Sequence, residues 1–590
     1  MKKLNILLLA GGMLFGLTAC KKTFTELDPL DKFSDAVYFT QPADFKAYTA
    51  GYYTRLQGWN FNEMDLNTDL SANNKAQGYD LGHGTIPVTG GSWDYSGIRS
   101  CNILLSKAAN YAGTGDISQY VGESYFFRAY SYFGLLKTFG GVPIVTTVLE
   151  TNSPELYAPR NSRYEVVKLI LADLDEAIAK LPSEQSIPAA DKGRISKWAA
   201  MAFKARVELY EATWEKYLGT STDGDGTATG AGSKGYNAAD ASKYFADVVA
   251  LTQEVMNNGG FSLWNQNSKT PANMSYLYLF NLEDAGSNPY GLTKASNNEF
   301  ILYRIYDYTF RRGGINLSWT SWQLYPSRKF VDMPVCTDGL PAEKSPLFQG
   351  YHKTGDEFKN RDLRLLCYLN GSTSIPTNVT LDYGSLGASG YGNSKYAAYN
   401  YGTYRKDNEE SANYPVLRLA EVYLMYAEAL YELNGAITDA QLDASINKLR
   451  ERAGVAKLTN ALVTGNGLDM KTEIRRERAV ELYREGFRFD DLKRWGILEA
   501  ALNPSRLGMV VGDGTSYSTD FKDAAGNPTA KYKPSTYVLG EEAVQTPAGL
   551  LKCVVIDSYV NHSLQKKHYL WPVSSDQIRL NNKLLQNPGY

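Results

Sequence analysis

The chain contains little cysteine and little histidine for its length: five and four residues among 590. Apart from Cys20, the cysteines Cys101, Cys336, Cys367 and Cys553 lie far apart and form no Cys-x-x-Cys spacing. No disulfide framework is indicated, and four buried thiols are expected, although the sequence leaves their pairing open. The histidines form no His-Glu-x-x-His motif, so a catalytic zinc ion lacks its ligands.

Net charge is also nearly absent. The chain has 61 Lys and Arg against 63 Asp and Glu, a formal net charge of -2. Such a balance gives no reason to expect nucleic acid or an anionic lipid surface as a partner. No serine-hydrolase motif, Walker phosphate loop or dinucleotide-binding motif in its structural context occurs either. These absences favour a protein that is not an enzyme.

Long hydrophobic runs are missing everywhere except at the N-terminus. Two lysines precede an apolar stretch over residues 4–17, which is too short to span a bilayer comfortably. Leu-Thr-Ala comes directly before Cys20, which is the pattern of a bacterial lipoprotein signal. We predict that residues 1–19 are a signal peptide and that Cys20, acylated with chains such as palmitate, becomes the first mature residue. The alternative is a plain secreted protein with an incidental Cys20.

Aromatic side chains, in contrast, are abundant. There are 43 Tyr, 22 Phe and 9 Trp, and many lie in Gly-, Asn- and Ser-rich stretches where no helix core would bury them. Exposed Tyr and Trp usually contact a ligand or a partner.

Helical periodicity concentrates in two parts of the chain. Apolar residues recur at three- and four-residue steps over residues 121–136, 198–209 and 416–433. The first of these segments is apolar on more than one face, so it should pack on several sides. The pattern of two helices joined by a short turn, with small residues where the helices cross, resembles tetratricopeptide packing, although no strict repeat is present. We predict a mainly α fold built from divergent helix pairs.

Local signals refine this picture. Ser162 with Glu165, and Thr438 with Gln441, have the spacing of a capping box at the start of a helix. Long loops inside a folded body are usually functional, and a short strand over residues 299–306 is expected at their base. The irregular stretches are residues 217–237, whose Gly, Ser and Thr content predicts a flexible surface loop, and the Tyr- and Gly-rich residues 370–413 and 503–550.

Five sequence blocks resemble the SusD/RagB family of outer-membrane nutrient-binding lipoproteins of Bacteroidetes. In chain order they are ESYFFRAYSYFGLLKTFGGVPI, GRISKWAAMAFKARVELY, RLAEVYLMYAEAL, IRRERAVELYREGFRFDDLKRWG and LWPVSSDQIRLNNKLLQNPGY. The resemblance spans nearly the whole mature chain. It divides that chain into an N-terminal region, residues 20–235, and a C-terminal region, residues 236–590, packed as one body.

The resemblance implies a tetratricopeptide-like helical scaffold with a large, irregular ligand face. It also implies a location at the outer membrane, exposed on the cell surface, and a partner, a SusC-like TonB-dependent transporter. The lipoprotein would capture an oligosaccharide without catalysis and deliver it to the transporter. A peptide or another non-sugar nutrient is the alternative ligand, and neither resemblance nor residues name the glycan.

Two stretches combine aromatic rings with amides, which is the chemistry that recognises sugars. They lie in the segments where the family carries its ligand contacts, after the first helix and before the turn at Asp338. The candidate ligand-binding residues are Trp59, Asn73, Asn74, Tyr79, Trp319, Trp322 and Tyr325. In the second stretch, a helical turn and a half would place all three rings on one face.

Other interpretations of these residues remain open. Trp319 and Trp322 could be core residues, and Asn73 and Asn74 could be turn residues. Trp93, at the start of a predicted helix, is interpreted as core.

Charged clusters could instead indicate a surface glycoside hydrolase. Glu473 with Arg476, and Glu481 with Arg484, have helical i,i+3 spacing, so we interpret this run as structural. The adjacent carboxylates of residues 490–491 diverge on a helix, which does not suit an acid and nucleophile pair.

A calcium loop is the remaining metal hypothesis. Residues 223–226, Asp-Gly-Asp-Gly, resemble part of such a loop, but the other ligands are missing. We therefore predict no cofactor, while a structural calcium elsewhere stays open.

Overall fold

The computed structural model describes residues 38–60, 64–66, 68–72, 85–90, 92–313, 325–351, 355–370, 389–397, 411–511, 525, 541–546 and 549–590. The helices are α1 (Pro42–Ala50), α2 (Ser96–Ala109), α3 (Ser118–Phe139), α4 (Arg163–Lys180), α5 (Lys197–Tyr217), α6 (Asp240–Asn258), α7 (Ser275–Tyr278), α8 (Arg328–Asp332), α9 (Leu363–Tyr368), α10 (Leu419–Asn434), α11 (Asp439–Asp443), α12 (Ile446–Arg452), α13 (Asn460–Gly465), α14 (Met470–Glu481), α15 (Arg488–Arg494), α16 (Leu498–Leu502) and α17 (Ser575–Leu580). The strands are β1 (Ser71–Ala72), β2 (Phe300–Arg304), β3 (Tyr325–Pro326), β4 (Leu369–Asn370), β5 (Gly392–Asn393), β6 (Tyr414–Arg418), β7 (Arg506–Val511), β8 (Glu541–Thr546) and β9 (Gly549–Asp557).

The long helices pack against one another as an array. Helix α3 packs against α2 and α4, α5 packs against α4 and α6, and α10 packs against α6 and α14. Helix α3 buries residues on several sides, as its all-round apolar sequence predicted. The mainly α architecture of packed helix pairs is therefore confirmed. The division of the mature chain at residues 235 and 236 stays a prediction.

The predicted capping boxes are confirmed. The backbone N–H of Glu165 donates to Ser162 Oγ over 3.2 Å, and the N–H of Ser162 donates to the Glu165 carboxylate over 3.0 Å. Thr438 and Gln441 make the same reciprocal contact at α11. These bonds satisfy backbone donors that the first turn of a helix leaves unpaired.

The strands form small antiparallel sheets. Strand β2 pairs with β6, which confirms the strand expected within residues 299–306. Strand β1 pairs with β3, so Ala72 lies opposite Tyr325. Strand β4 pairs with β5, and β9 lies between β7 and β8. The β1–β3 ladder joins the two stretches that carry the candidate ligand residues.

Much of the charged run of α14 is buried. The pair between Arg476 Nε and Glu473 Oε2, 3.2 Å apart, is confirmed. The pair expected between Glu481 and Arg484 is wrong. Helix α14 ends at Glu481, and Arg484 adopts a φ of 62° and donates its Nε–H to Tyr483 Oη.

The Gly-rich segment after α5 is tied down by hydrogen bonds instead of forming the predicted flexible loop. The Asp225 carboxylate accepts three backbone N–H groups, which lower its pKa, and the Asp223 carboxylate accepts the Tyr164 and Ser233 hydroxyls. Both acids that suggested a calcium loop are thus used by protein donors. Within the described ranges no cluster of acidic, His or Cys side chains is arranged to hold a metal ion.

The structure also bears on the predicted state of the cysteines and on membrane-spanning segments. Cys101, Cys336, Cys367 and Cys553 are buried free thiols, as expected, while Cys20 lies outside the described residues. Among the helices that the structure describes, none combines the length and apolar character needed to cross a bilayer.

One buried carboxyl group on α5 predicts a pH-dependent stability. Glu208 is buried, its Oε1 lies 3.8 Å from Lys204 Nζ, and its Oε2 has no hydrogen-bond partner. Burial, with the Asp247 and Asp175 carboxylates, raises its pKa to about 8. Because the folded state holds this proton more tightly than the unfolded chain, the contribution to stability is present below pH 4.5 and is lost as the pH rises through about 8.

We expect Glu208→Gln to stabilise the protein at alkaline pH by on the order of 2–4 kcal/mol, with little gain near pH 4. Urea unfolding at several pH values measures this difference. Glu176→Gln, on the exposed face of α4, serves as the control and should show no such trend. An equal effect of Glu208→Gln at both ends of the pH range would contradict the raised pKa.

Candidate functional site

An open polar cleft lies where the chain that follows α1 meets α3 and the end of β2. Its volume is about 660 Å³. We call it the central polar cleft and define it by six lining side chains: Arg55, Gln57, Asn60, Tyr130, Lys137 and Arg304. A volume of this size is within the range that small ligands occupy in proteins.

Backbone contacts hold the wall of the cleft in place. The Gln57 N–H donates to Tyr130 Oη and the Trp59 N–H donates to Tyr306 Oη, each over 3.1 Å. Between them, Gly58 leaves no room for a side chain, because a Cβ there would lie 2.3 Å from Tyr306 Oη. A side chain at residue 58 would have to displace the Tyr306 and Arg304 side chains, so glycine suits this close approach.

The floor of the cleft is a smaller cavity of about 140 Å³ that shares Gln57, Tyr130 and Lys137 with it. Lys137 Nζ lies 2.5 Å from Asp490 Oδ2 at this floor. Burial raises the pKa of Asp490, but the Lys137 and Lys493 ammonium groups lower it more, so the net shift is downward. The Asp490 carboxylate therefore stays ionised at neutral pH.

The cleft offers the groups that hold polar, hydroxyl-rich ligands. Gln57 and Asn60 carry amides, Tyr130 carries a phenol, and Arg55 and Arg304 carry guanidinium N–H donors. Amides supply both a donor and an acceptor, which matches a sugar hydroxyl. The arrangement suits reversible binding.

A fully exposed aromatic ring lies on the hairpin that follows β2. Phe310 is 92% exposed, and Asp307 orders the turn by accepting the backbone N–H groups of Thr309 and Phe310. Such exposure is rare for a phenylalanine and provides an apolar face for a ligand. The hairpin begins only a few residues after Arg304, which lines the cleft.

Trp59 corrects one sequence prediction. Its ring is 6% exposed, lies edge-on to Tyr396 and Tyr414 with ring centroids 5.0 Å apart, and donates its Nε1–H to the Ala412 carbonyl. The indole is a core side chain and presents no free face to a sugar. Trp59 lines the cleft, where its backbone N–H donates to Tyr306 Oη.

Tyr325 corrects a second prediction. It is 8% exposed and lies in β3 opposite Ala72, so it does not extend a helical face of aromatic rings. The other candidates, Asn73, Asn74, Tyr79, Trp319 and Trp322, lie outside the described residues. The β1–β3 pairing nevertheless brings the ends of their two stretches together.

Sequence reasoning missed most of the residues that line the cleft. Tyr130 and Lys137 lie within a block that was interpreted as helix architecture, and Arg304 lies in a strand. The seven-residue spacing of Tyr130 and Lys137 corresponds to two helical turns, which places both on one face of α3. That spacing was the available signal.

A second cleft, of about 510 Å³, has a different character. We call it the apolar cleft and define it by Trp93, Tyr95, Leu156, Tyr157 and Leu580. Leu580 on α17 is 66% exposed. Trp93, predicted as core, is only half-buried and packs on Phe139 at the edge of this cleft.

Two family models match the chain. The SusD family model matches residues 318–590, and a model described as starch-binding associating with outer membrane matches residues 30–209. Together the two models match helices in both the N-terminal and the C-terminal parts of the chain.

Individual relatives agree with these matches. A SusD-like protein of Bacteroides ovatus is 25% identical over 530 residues, which cover 84% of this chain and 83% of that protein. The SusD-like protein P38 of Formosa agariphila is 36% identical over 127 residues, which cover 21% of this chain and 24% of that protein.

Solved structures share the fold. A SusD-like protein from Bacteroides fragilis superposes with a TM-score of 0.66 at 22% identity, covering 96% of this chain and 100% of that one. A second B. fragilis structure, of a SusD-like carbohydrate binding protein, also has a TM-score of 0.66 at 22% identity, covering 92% of this chain and 99% of that one. Because the two family-model matches together cover most of the chain, the protein is a member of the SusD/RagB family.

Proposed function

We propose that the protein binds an oligosaccharide reversibly in the central polar cleft and passes it to a SusC-like TonB-dependent transporter. The observation that carries the proposal is the cleft itself, an open cavity of about 660 Å³ with amides and guanidinium groups in its wall. The names of the matching family model and of the B. fragilis structure, which refer to starch and to carbohydrate binding, support the same ligand class.

The chemistry of sugars fits the parts of this site. A sugar ring has an apolar C–H face that packs on an aromatic ring, while its hydroxyls exchange hydrogen bonds with amides. Phe310 supplies an accessible ring on the hairpin, and Gln57 and Asn60 supply amides in the wall. We assign Phe310 and Gln57 to ligand binding in place of Trp59 and Tyr325.

The location follows from the N-terminal sequence. Acylation of Cys20 would anchor the mature chain in the outer membrane, with residues 21–37 between the lipid and the first described residue. Two or more acyl chains hold a protein on a membrane stably. This position on the cell surface would place the cleft next to a transporter. Palmitate labelling that persists in a Cys20→Ser variant would contradict the anchor.

The proposed role is non-catalytic. A glycosidase needs a carboxylic acid with a raised pKa and a second carboxylate across the scissile bond. The pKa of Asp490 is lowered, and Asp491 is buried and paired with Arg478 and Arg494 at 2.8 and 2.9 Å. This pair of residues therefore does not suit an acid and nucleophile.

Calorimetric titration against a panel of glycans tests the proposal. We expect Phe310→Ala and Gln57→Ala each to weaken binding about three- to tenfold, because each removes one contact of roughly 0.7–1.4 kcal/mol. Tyr559→Ala, which removes an exposed ring on another part of the surface, is the matched control and should bind like the unchanged protein.

Unchanged affinity in both variants would remove the site assignment. Absence of binding to every glycan would remove the proposed function. Release of shortened sugars by the purified protein would favour the hydrolase instead.

The apolar cleft supports the alternative ligand, a peptide or another non-sugar nutrient. Its wall presents Leu156, Tyr157 and Leu580, which suit an apolar group better than a sugar hydroxyl. Binding of a peptide that is lost in Leu580→Ser, while glycans fail to bind, would establish this alternative.

A further inference from the structure

The charges that line the central polar cleft are of one sign. Arg55, Lys137 and Arg304 contribute three cations, and none of the described residues in its wall is an aspartate or a glutamate. Among the described residues, Asp490 at the floor supplies a counter-charge and pairs with Lys137. The other two cations face the cleft without that compensation.

The two arginines differ from those of the protein core. Arg304 donates one Nη1–H to the Leu56 carbonyl over 2.9 Å, and its buried Nε has no hydrogen-bond partner. Arg55 donates to Ser96 Oγ over 3.2 Å. Neither forms an ion pair with any residue in the described part of the chain, whereas the core residues Arg418 and Arg452 each pair with two or more carboxylates.

A partly buried guanidinium without an anion is costly unless a ligand supplies one. Arginine also binds carboxylate and sulfate groups through two parallel N–H bonds, which is a stronger contact than one to a neutral hydroxyl. The hairpin next to Arg304 carries Arg311 and Arg312 together with the carboxylate of Asp307.

We infer that the cleft selects acidic oligosaccharides, whose sugars carry carboxylate or sulfate groups, over neutral ones. This inference rests on the proposed function and adds the charge class of the ligand. The Gln57 and Asn60 amides and the Phe310 ring would hold the neutral parts of the sugar, while Arg304 and Arg55 hold its anionic groups. An acidic peptide carries the same negative charge but has no sugar ring to pack on Phe310. Binding of such a peptide is one of the outcomes of the test.

The experiment is calorimetric titration of the full mature protein with three groups of ligands. Acidic hexasaccharides from pectate and alginate present carboxylates, those from carrageenan present sulfates, and those from chondroitin sulfate present both groups. Neutral hexasaccharides from starch, xylan, laminarin and mannan have matched length, and hexaglutamate represents an acidic peptide. Titrations at about 50 mM and about 500 mM NaCl measure the electrostatic contribution.

We expect at least one acidic hexasaccharide to bind about tenfold or more tightly than any neutral one, and to weaken at the higher salt concentration. Arg304→Gln and Arg55→Gln should each weaken acidic binding by about tenfold. Arg55 is half-exposed and makes one side-chain hydrogen bond, so Arg55→Gln should still fold. It therefore keeps the test valid if Arg304→Gln does not fold. Arg579→Gln, at an exposed arginine of α17, is the matched control and should change nothing.

The other outcomes separate the two proposals. Equal or tighter binding of neutral sugars overturns the charge selectivity and leaves the proposed function standing. Binding of hexaglutamate alone, or of no ligand at all, overturns both. Binding of the pectate and alginate hexasaccharides would identify carboxylate as the recognised group, and binding of the carrageenan hexasaccharide would identify sulfate.

Discussion

Replacing Glu481 by Gln is expected to lower the free energy of unfolding by about 3–5 kcal/mol, because it removes an anion that three buried arginines share. Glu481 is fully buried. Its Oε1 accepts N–H groups from Arg418 and Arg452 over 2.7 and 2.8 Å, and its Oε2 accepts one from Arg364 over 2.9 Å. One carboxylate thus contacts three guanidinium groups that come from different elements of the fold.

The charge state of Glu481 supports this expectation. Burial raises its pKa, but the surrounding arginines lower it far more, so the group is ionised at neutral pH. Its contribution to stability is present above its unfolded pKa and is lost only as the pH falls through the much lower folded value. Chemical unfolding near neutral pH measures the effect. Glu451→Gln, at an exposed position on the neighbouring α12, should cost little, and an equal loss in both variants would contradict the argument.

Replacing Trp59 by Ala is expected to destabilise the protein by about 3–5 kcal/mol, because a large core side chain is removed and a cavity remains. The change also removes the hydrogen bond from the indole Nε1 to the Ala412 carbonyl. Tyr396 and Tyr414 would lose the ring on which their edges pack. Any loss of ligand binding would then follow from loss of the folded cleft wall.

Thermal unfolding with and without ligand distinguishes the two roles of Trp59. Trp571→Ala, which removes an exposed tryptophan, is the matched control and should cost less than about 1 kcal/mol. If Trp59→Ala retained its stability but no longer bound glycans, the ring would be a ligand contact after all, and the core assignment would be wrong.

The helical scaffold could be predicted because its signals are local. The capping box of Ser162 with Glu165 and the apolar steps of residues 121–136 involve neighbours within one or two turns. Such contacts form in the same way wherever the helix lies, so α3 and α4 appear as expected.

The aromatic residues were harder to assign because burial is not a local property. Trp59 lies in a polar, Gly-punctuated stretch, yet residues more than three hundred positions away cover its ring. Tyr325 is fixed by pairing with Ala72, which no short-range pattern indicates. An aromatic residue in a polar segment therefore predicts either a ligand contact or a core contact.

The ion pairs likewise divide into those that helical spacing predicts and those that depend on the tertiary structure. The pair of Glu473 with Arg476 could be predicted from helical spacing, since both side chains lie on α14. The partners of Glu481 could not, because Arg364 and Arg418 reach it from other elements of the chain. Low-dielectric burial then makes these distant ion pairs decisive for stability.

By itself, the sequence determined several long helices, the two capping boxes and the resemblance to one family, because these depend on local spacing and short motifs. Only the tertiary structure decided which polar residues share a cavity. Arg55, Tyr130 and Arg304 line one cleft because a helix, a strand and the Gly58 segment pack closely there, and that contact depends on the shape of the whole chain.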